Sequence, residues 1–333
     1  MDDINKNLLR KPANKLDEIT DEMWQMVNEE SRNLVEEFLE VSSQFSPKTK
    51  IQYISCLRQF FWFVYEKIQN KPFYKITKRD FMRYMSYMQE GGLSSHSVNL
   101  RKASVSSFCN YIENIVSEDV EEYKNFRNFT RGMPPVAKNQ VYEKRAVSQE
   151  EYELMLKTLE EKEDYLGCAW VATMYNVGCR RSELIQFKSE IIDYEIPEGQ
   201  NYVLSNIVRG KGKGVDGKIL RYMVNLDSLK YIKLWLEKRG YEHEYIFTTH
   251  YNGEIKSIST TWGNQFCANV LSPIVNRRIH PHLFKATVIT NLLNKGVDLK
   301  VVSKYVAQHN DTATTSNFYD LRDFEDEKND IFK

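Results

Sequence analysis

The chain has 333 residues, is 41% hydrophobic and 28% charged, and balances 46 Lys and Arg against 46 Asp and Glu. This length is more than one ordinary core and fits two domains. No run approaches 18 apolar residues, and the opening MDDINKNLLRKPANK has no apolar signal core, so neither a membrane span nor a secretory leader is expected. Five scattered cysteines (Cys56, Cys109, Cys168, Cys179, Cys267) show no Cys-x-x-Cys or zinc spacing and read as reduced, mostly buried thiols of a cytoplasmic protein.

The neutral total hides a strong distribution. Residues 1–40 hold five basic and eleven acidic residues, a balance of −6. Residues 48–111 hold eleven basic and three acidic, +8, and residues 205–240 nine and three, +6. The tail 320–333 returns to −3. Affinity for a polyanion follows local charge rather than the sum. Taken alone, either basic block is equally a solvated helix face.

In chain order, residues 1–29 read as a flexible acidic arm. Helical spacing of Leu34, Val35, Phe38, Leu39 and Val41 predicts a first helix. Ser46 as N-cap with Pro47 behind it opens a second, with Ile51, Ile54, Leu57, Phe60, Phe61 and Val64 inward. Its Phe60-Phe61-Trp62-Phe63 run reads as core rather than as a base-stacking platform. Thr77 caps a third helix that Gly91-Gly92 ends, and Ser94 or Ser95 starts a fourth. Residues 30–116 thus form a helical domain. The charged stretch 117–144, with Gly132-Met133-Pro134-Pro135, reads as a linker.

A second domain spans 145–322. Ser148 and Glu151 make a capping box for a helix to about Glu161. An apolar helix follows over 165–177, is broken at Gly178-Cys179, and a new one starts near Arg180. Residues 202–209 and 218–225 predict two strands around the tip Gly-Lys-Gly-Lys-Gly-Val-Asp-Gly. Helices are expected at about 227–239, 257–270, 281–295, 298–307 and 311–319. The fold class is mainly α with a small β-sheet: an N-terminal helical domain plus a mixed α/β domain. The tail 323–333 is an amphipathic segment suited to docking on a neighbouring protomer.

Four pieces stand in order: Tyr-Asn-Val-Gly-Cys-Arg180-Arg-Ser-Glu-Leu, Gly210-Lys211-Gly212, His280-Pro-His282-Leu-Phe-Lys285, and Val-Ala-Gln-His309 with Tyr319 ten residues on. Each alone has a bland reading: ordinary histidines, an exposed glycine hairpin, one tyrosine among 20. The three histidines lack a carboxylate or cysteine spaced to complete a metal site. In joint order the pieces resemble the tyrosine recombinase (phage integrase) family over roughly residues 30–322. The helical domain then looks like that family's core-binding domain, and residues from about 145 like its catalytic domain.

The resemblance implies roles. Arg180, preferred to its neighbour Arg181 because Gly178 sets the register, would fork onto phosphate oxygens. Lys211, with Lys213 a competitor, would protonate the leaving 5′-oxygen. His282 and Lys285 stand in the family's His-x-x-Arg box, where lysine keeps the charge but not the bidentate fork. His309 matches the last histidine, with Gln308 where glycine is usual, and Tyr319 matches the nucleophile, one residue further on than usual. The implied reaction passes through a 3′-phosphotyrosine and a Holliday junction, needs no metal, ATP or other cofactor, and serves a mobile element. Implied partners are double-stranded DNA with specific sites, three further copies in a homo-tetramer, and an accessory protein; the place of action is the nucleoid. DNA contacts are expected from Lys48, Lys50, Arg58, Lys78, Arg79, Arg101, Lys102 and Lys213. Two other classes share these features: a type IB topoisomerase-like enzyme, and a relative that binds DNA without cleaving it.

Overall fold

The computed structural model describes residues 14–134, 136, 145–212, 217–322 and 324. Lys213 and most of the linker end and of the 323–333 tail lie outside them. The described residues divide into two compact units, one over 14–136 and one from 145 onward.

The first unit is helical: α1 (Asp21–Met26), α2 (Glu29–Val41), α3 (Pro47–Lys67), α4 (Lys78–Glu90) and α5 (Ser95–Tyr111), the last running on through a π-helical turn at Ile112–Val116. Its caps are those the sequence predicts. Ser46 accepts from the Thr49 amide, with Pro47 at the first helical position. Thr77 and Asp80 form a capping box, and Ser94 caps α5. Phe60, Phe61, Phe73, Phe81, Tyr84 and Phe108 are fully buried in one aromatic core, with ring centroids as close as 4.8 Å for Phe73 and Phe108. Trp62, only partly buried, stacks on Tyr65 at 5.1 Å.

Two segments differ from the expectation of an arm and a linker. The Asn14 amide donates to the Gly92 carbonyl, Trp24 is 2% exposed against Phe61, and Ile19 and Val27 are buried. Tyr123, Phe126, Phe129 and Met133 are likewise core residues. The acidic and basic letters of both stretches dominate their composition, but a few large apolar side chains decide where they lie, because each buries ~1.5–3 kcal/mol of transfer free energy.

The second unit contains α6 (Gln149–Glu161), α7 (Tyr165–Val177), α8 (Arg181–Leu184), β1 (Tyr202–Leu204), β2 (Val208–Gly210), β3 (Lys218–Leu220), β4 (Met223–Asn225) and α9 (Leu226–Lys238). After these come β5 (Thr248–Tyr251), β6 (Glu254–Ser257), α10 (Thr260–Phe266) with a π-helical turn at Cys267–Leu271, α11 (Pro281–Asn294), α12 (Leu299–Val301) with a π-helical turn at Val302–Ala307, and α13 (Thr312–Tyr319).

The two long strands of the sequence reading are four short ones. β1 pairs with β4 and β2 with β3, both antiparallel. Ser205 interrupts them: its amide donates to the Tyr222 carbonyl and its hydroxyl accepts from the Tyr222 amide. The β5–β6 hairpin falls partly where a helix from 257 was expected; its tip is Asn252-Gly253, both at positive φ.

α7 is the spine of this unit, apolar on every side, with Trp170 packed edge-on against Phe284 of α11. Gly178 ends it in the left-handed region at φ 68°. A Cβ there would stand 3.1 Å from the Val288 side chain of α11. Glycine thus serves both the turn and the close approach. No helix among the described residues is long and apolar enough to cross a membrane.

Candidate active site

Arg180 is the residue before α8, in extended conformation. Its backbone amide donates to Oε2 of Glu183 at 2.8 Å and its Nη1 to Oε1 at 2.9 Å. Glu183 is fully buried and also accepts from the Tyr222 hydroxyl. Burial works against charge on Arg180, but Glu183 outweighs it, so the guanidinium is held charged more firmly than usual. A Cβ on Gly210 would lie 2.9 Å from Glu183 Oε1 and 2.4 Å from Leu220 Cδ1. Glycine at the end of β2 lets the hairpin close over this carboxylate. The sequence reading took Gly210 only as a flank of Lys211 and missed Glu183, although Glu at the third position after a chain break is a helix-start signal.

Lys285 sits one turn into α11 and is fully buried. Its Nζ donates to the Ala307 carbonyl at 2.6 Å and lies 5.9 Å from the centroid of the Tyr319 ring. Burial, then the charge of Arg180, lowers its pKa to about 8. His282 is exposed in the first turn of α11. The two members of the His-x-x-Lys box therefore share a helix side but not a depth.

His309 follows Gln308, whose φ of 57° puts it in the left-handed region. This is the backbone state that makes glycine usual at such a turn. Gln308 is held there by its side chain, which donates to the carbonyls of Arg221 and Tyr305. The His309 ring packs on Tyr319 with centroids 4.8 Å apart. Its Nδ1 lies 2.8 Å from the Thr315 hydroxyl, and its Nε2 is buried with no hydrogen-bond partner. Burial, then Lys285 and Arg180, lowers its pKa to about 4, so the ring is neutral at pH 7.

Tyr319, half-buried at the end of α13, is held by its backbone. The Thr290 hydroxyl of α11 donates to the Tyr319 carbonyl at 3.1 Å and accepts from the Leu321 amide at 3.0 Å. Thr290 and Lys218 are two further residues the sequence reading missed. Lys218, in β3, donates to the Gln308 carbonyl at 2.9 Å and to Asn310 Oδ1 at 3.2 Å, tying the hairpin to the His309 turn. Only the pairing of a hairpin with a distant loop brings it there, and no local pattern reports that. Lys211 stands exposed just past β2. The structure thus gathers Arg180, Lys285, His309 and Tyr319, and leaves His282 and Lys211 at the solvent side.

The residues expected to meet DNA in the first unit divide in the same way. Lys48, Lys78 and Arg79 are exposed, and Lys50 is half-buried. Arg58 pairs with Asp21 at 2.8 Å and lies over the Trp24 ring. Arg101 donates to Gln59 and to the Ser97 carbonyl, and Lys102 to the Met133 carbonyl.

Comparison with known proteins covers most of the chain. Residues 145–325 match the phage integrase family, and residues 32–122 the phage integrase N-terminal SAM-like domain. The SPbeta prophage-derived recombinase-like protein YomM of Bacillus subtilis (strain 168) is 57% identical over 99% of this chain and 98% of its own length. The tyrosine recombinase XerC of Staphylococcus aureus (strain JH9) is 27% identical over 84% of this chain and 88% of its own. Among solved structures, the Tn1549 transposon integrase in complex with circular intermediate DNA has TM-score 0.66 at 16% identity, covering 91% of this chain and 99% of that one. The XerH site-specific recombinase bound to palindromic difH substrate has TM-score 0.65 at 16% identity, covering 96% and 98%. The chain belongs to the phage integrase family, the tyrosine recombinases, enzymes that cleave and rejoin DNA.

Proposed function

We propose that this chain is a site-specific recombinase that moves a mobile element, with Tyr319 as the nucleophile. The observation that carries the reading is the convergence of Arg180, Lys285 and His309 around a tyrosine whose backbone is clamped by Thr290. The 57% identical relative is prophage-derived, which supports integration or excision as the setting.

In the proposed reaction the Tyr319 oxygen attacks the scissile phosphorus and the bond to the 5′-oxygen breaks, leaving a 3′-phosphotyrosine. Arg180, kept charged by Glu183, and Lys285 supply positive charge where negative charge develops on the phosphate oxygens. Lys211, on an exposed glycine-flanked hairpin, follows the backbone into place and gives a proton to the departing 5′-oxygen. His282, exposed at the N-terminal turn of α11, adds a donor to the same phosphate. The covalent link conserves the phosphodiester energy, so rejoining to a partner's 5′-hydroxyl needs no ATP. Two such exchanges pass through a Holliday junction on four protomers, with the 323–333 tail docking on a neighbour and an accessory protein setting direction, in the cytoplasm on nucleoid DNA.

A second reading is a DNA-binding relative that does not cleave. The observation favouring it is Lys285, fully buried and bonded to a carbonyl rather than facing a phosphate.

The test uses supercoiled plasmid carrying two copies of a duplex selected for binding by the protein, in EDTA without ATP, quenched with SDS. A covalent adduct in wild type and none in Tyr319→Phe is expected. Recombinant products beside it set the protein apart from a topoisomerase, which yields relaxed plasmid alone. An adduct that survives in Tyr319→Phe overturns the nucleophile assignment. Binding without adduct selects the non-cleaving reading.

A further inference from the structure

Strand β3 is stitched to the turn before α13 at both of its ends. At its start the Lys218 ammonium donates to the Gln308 carbonyl at 2.9 Å and to Asn310 Oδ1 at 3.2 Å. Just past its end the Arg221 carbonyl accepts from Gln308 Nε2 at 3.2 Å. Its partner β2 is held elsewhere: the Arg209 amide donates to Gln186 Oε1, and the Arg209 carbonyl accepts from Gln186 Nε2. Glycines line the root of the hairpin. A Cβ on Gly212 would stand 2.7 Å from the Lys218 nitrogen, and one on Gly217 would stand 2.5 Å from the Gly210 carbonyl oxygen. Glycine brings no side chain that could seat this part of the hairpin by packing, so its placement falls to the polar bonds at the root. Lys211 is exposed, one residue beyond the cross-strand pair of Gly210 and Lys218. Gln308 keeps a left-handed backbone at φ 57°, which costs any residue but glycine. A glycine there would avoid that cost and could not donate to Arg221.

We propose that Lys218 and Gln308 are positioning residues: together they clasp the β2–β3 hairpin to the turn that leads into the helix of Tyr319, and so set where Lys211 delivers its proton. The proposal rests on Tyr319 being the nucleophile and Lys211 the acid. In the step concerned, the bond from phosphorus to the 5′-oxygen breaks. That oxygen takes a proton from the Lys211 ammonium, which is left as the amine.

With the hairpin clasped, the acid and the tyrosine belong to one frame, and less freedom is lost when the proton is delivered. Released, the hairpin carries the same acid through a wider range of positions. Affinity for DNA, which many contacts share, is left as it was. Lys218 also has a second way to act. Burial and then Arg180 lower the pKa of Lys285 most, and the charge of Lys218 adds to them. Gln308 carries no charge, so substitutions at the two positions separate the clasp from the field.

The experiment has a DNA-free arm and a cleavage arm. In hydrogen exchange on the full chain without DNA, the amides of β2 and β3 are expected to exchange faster in Lys218→Met and in Gln308→Gly, and those of α7 as in wild type. Unchanged exchange in β2 and β3 overturns the clasp. The cleavage arm uses the duplex selected for binding, with the cut position read from the wild-type adduct, and a second duplex with sulfur in place of the bridging 5′-oxygen at that position. Sulfur departs as a thiolate, which is stable near neutral pH and needs no acid. At saturating protein on the oxygen duplex, Lys218→Met is expected to slow adduct formation about tenfold and Gln308→Gly about threefold, less than the ~100-fold of a gross misplacement. Half-saturating concentrations are expected to stay unchanged, and Lys218→Arg to recover most of the rate. On the sulfur duplex both variants are expected to match wild type, as is Lys211→Ala, which on oxygen loses ~100-fold or more. Equal slowing of Lys218→Met on both duplexes assigns Lys218 to the field and overturns its positioning of the acid. A wild-type rate in Gln308→Gly despite faster exchange overturns it too. Lys211→Ala slowed on sulfur as on oxygen overturns Lys211 as the acid, and absence of adduct in wild type overturns Tyr319 as the nucleophile, while exchange still decides the clasp.

Discussion

Lys48, Lys78 and Arg79 in the helical unit stand exposed on α3 and α4, whereas Arg180 and Lys285 in the second unit are drawn out of water against a carboxylate and a carbonyl. The first arrangement is suited to a diffuse polyanion: each cation acts through a screened field and contributes nearly independently. The second is suited to one phosphate. Its charges perturb one another, so that Arg180 and Lys285 together depress His309 and Arg180 depresses Lys285. Removing one member changes the protonation and the geometry of the rest.

The sharpest way to break the contrast is at Glu183. Glu183→Gln leaves Arg180 as a half-buried cation without its counter-charge and puts an NH2 donor in place of one of the two oxygens that accept from Arg180 and Tyr222. Breaking a buried pair from one side costs about 3–5 kcal/mol, so urea unfolding is expected to show a loss of ~3 kcal/mol. Adduct formation is expected to fall about 100-fold, because a loosened guanidinium no longer stabilises the transition state. A variant with wild-type unfolding would show that Arg180 does not depend on Glu183 as the geometry indicates.

Lys285 gives a test by pH. Its pKa is lowered to about 8, so it is charged below that value and loses its proton as pH rises through it. With DNA and protein both well below the dissociation constant, where the profile reports the free enzyme, cleavage by wild type is expected to decline above about pH 8, tending to tenfold per unit. Lys285→Arg, which stays charged at every accessible pH, is expected to remove that decline. An unchanged alkaline limb in Lys285→Arg would mean that another group sets it.

How much of this was legible differs by kind of signal. Ser46-Pro47, Thr77, Ser148–Glu151 and Gly178 are local devices, and each stands where the sequence places it. Their physics involves neighbours within four residues. Thr290 and Lys218 were invisible because their partners are remote: Tyr319 is 29 positions from Thr290, and Gln308 is 90 from Lys218; Glu183 carried a local helix-start signal, but its donor Tyr222 is 39 positions away. The break of the strands at Ser205 escaped for a related reason. Ile207 and Val208 resume the β-branched pattern beyond Ser205-Asn206, and the cross-strand bonds to Tyr222 show where the pairing breaks. Arg180, Lys285 and His309, gathered around Tyr319, were all named from the ordered boxes, whereas the unequal depths within the His-x-x-Lys box, His282 exposed and Lys285 buried, depend on packing against α7 and the turn Val302–Ala307 that a box does not encode.

The smallest effects belong to single exposed cations, and they separate contacts from anchors within the helical unit. Lys78→Ala and Arg79→Ala are expected to leave thermal stability unchanged, since neither side chain is buried. Each should weaken binding to specific and random duplex alike, and lower the slope of log affinity against log salt by ~0.9. Arg58→Ala should do the reverse. Its guanidinium bonds Asp21 and covers the Trp24 ring, so its loss frees the segment carrying α1 at a cost of about 1 kcal/mol in unfolding with little change in salt slope. A full unit of salt slope lost in Arg58→Ala would show that it leaves Asp21 for a phosphate when DNA binds, and that the acidic segment is a stand-in for the backbone it releases.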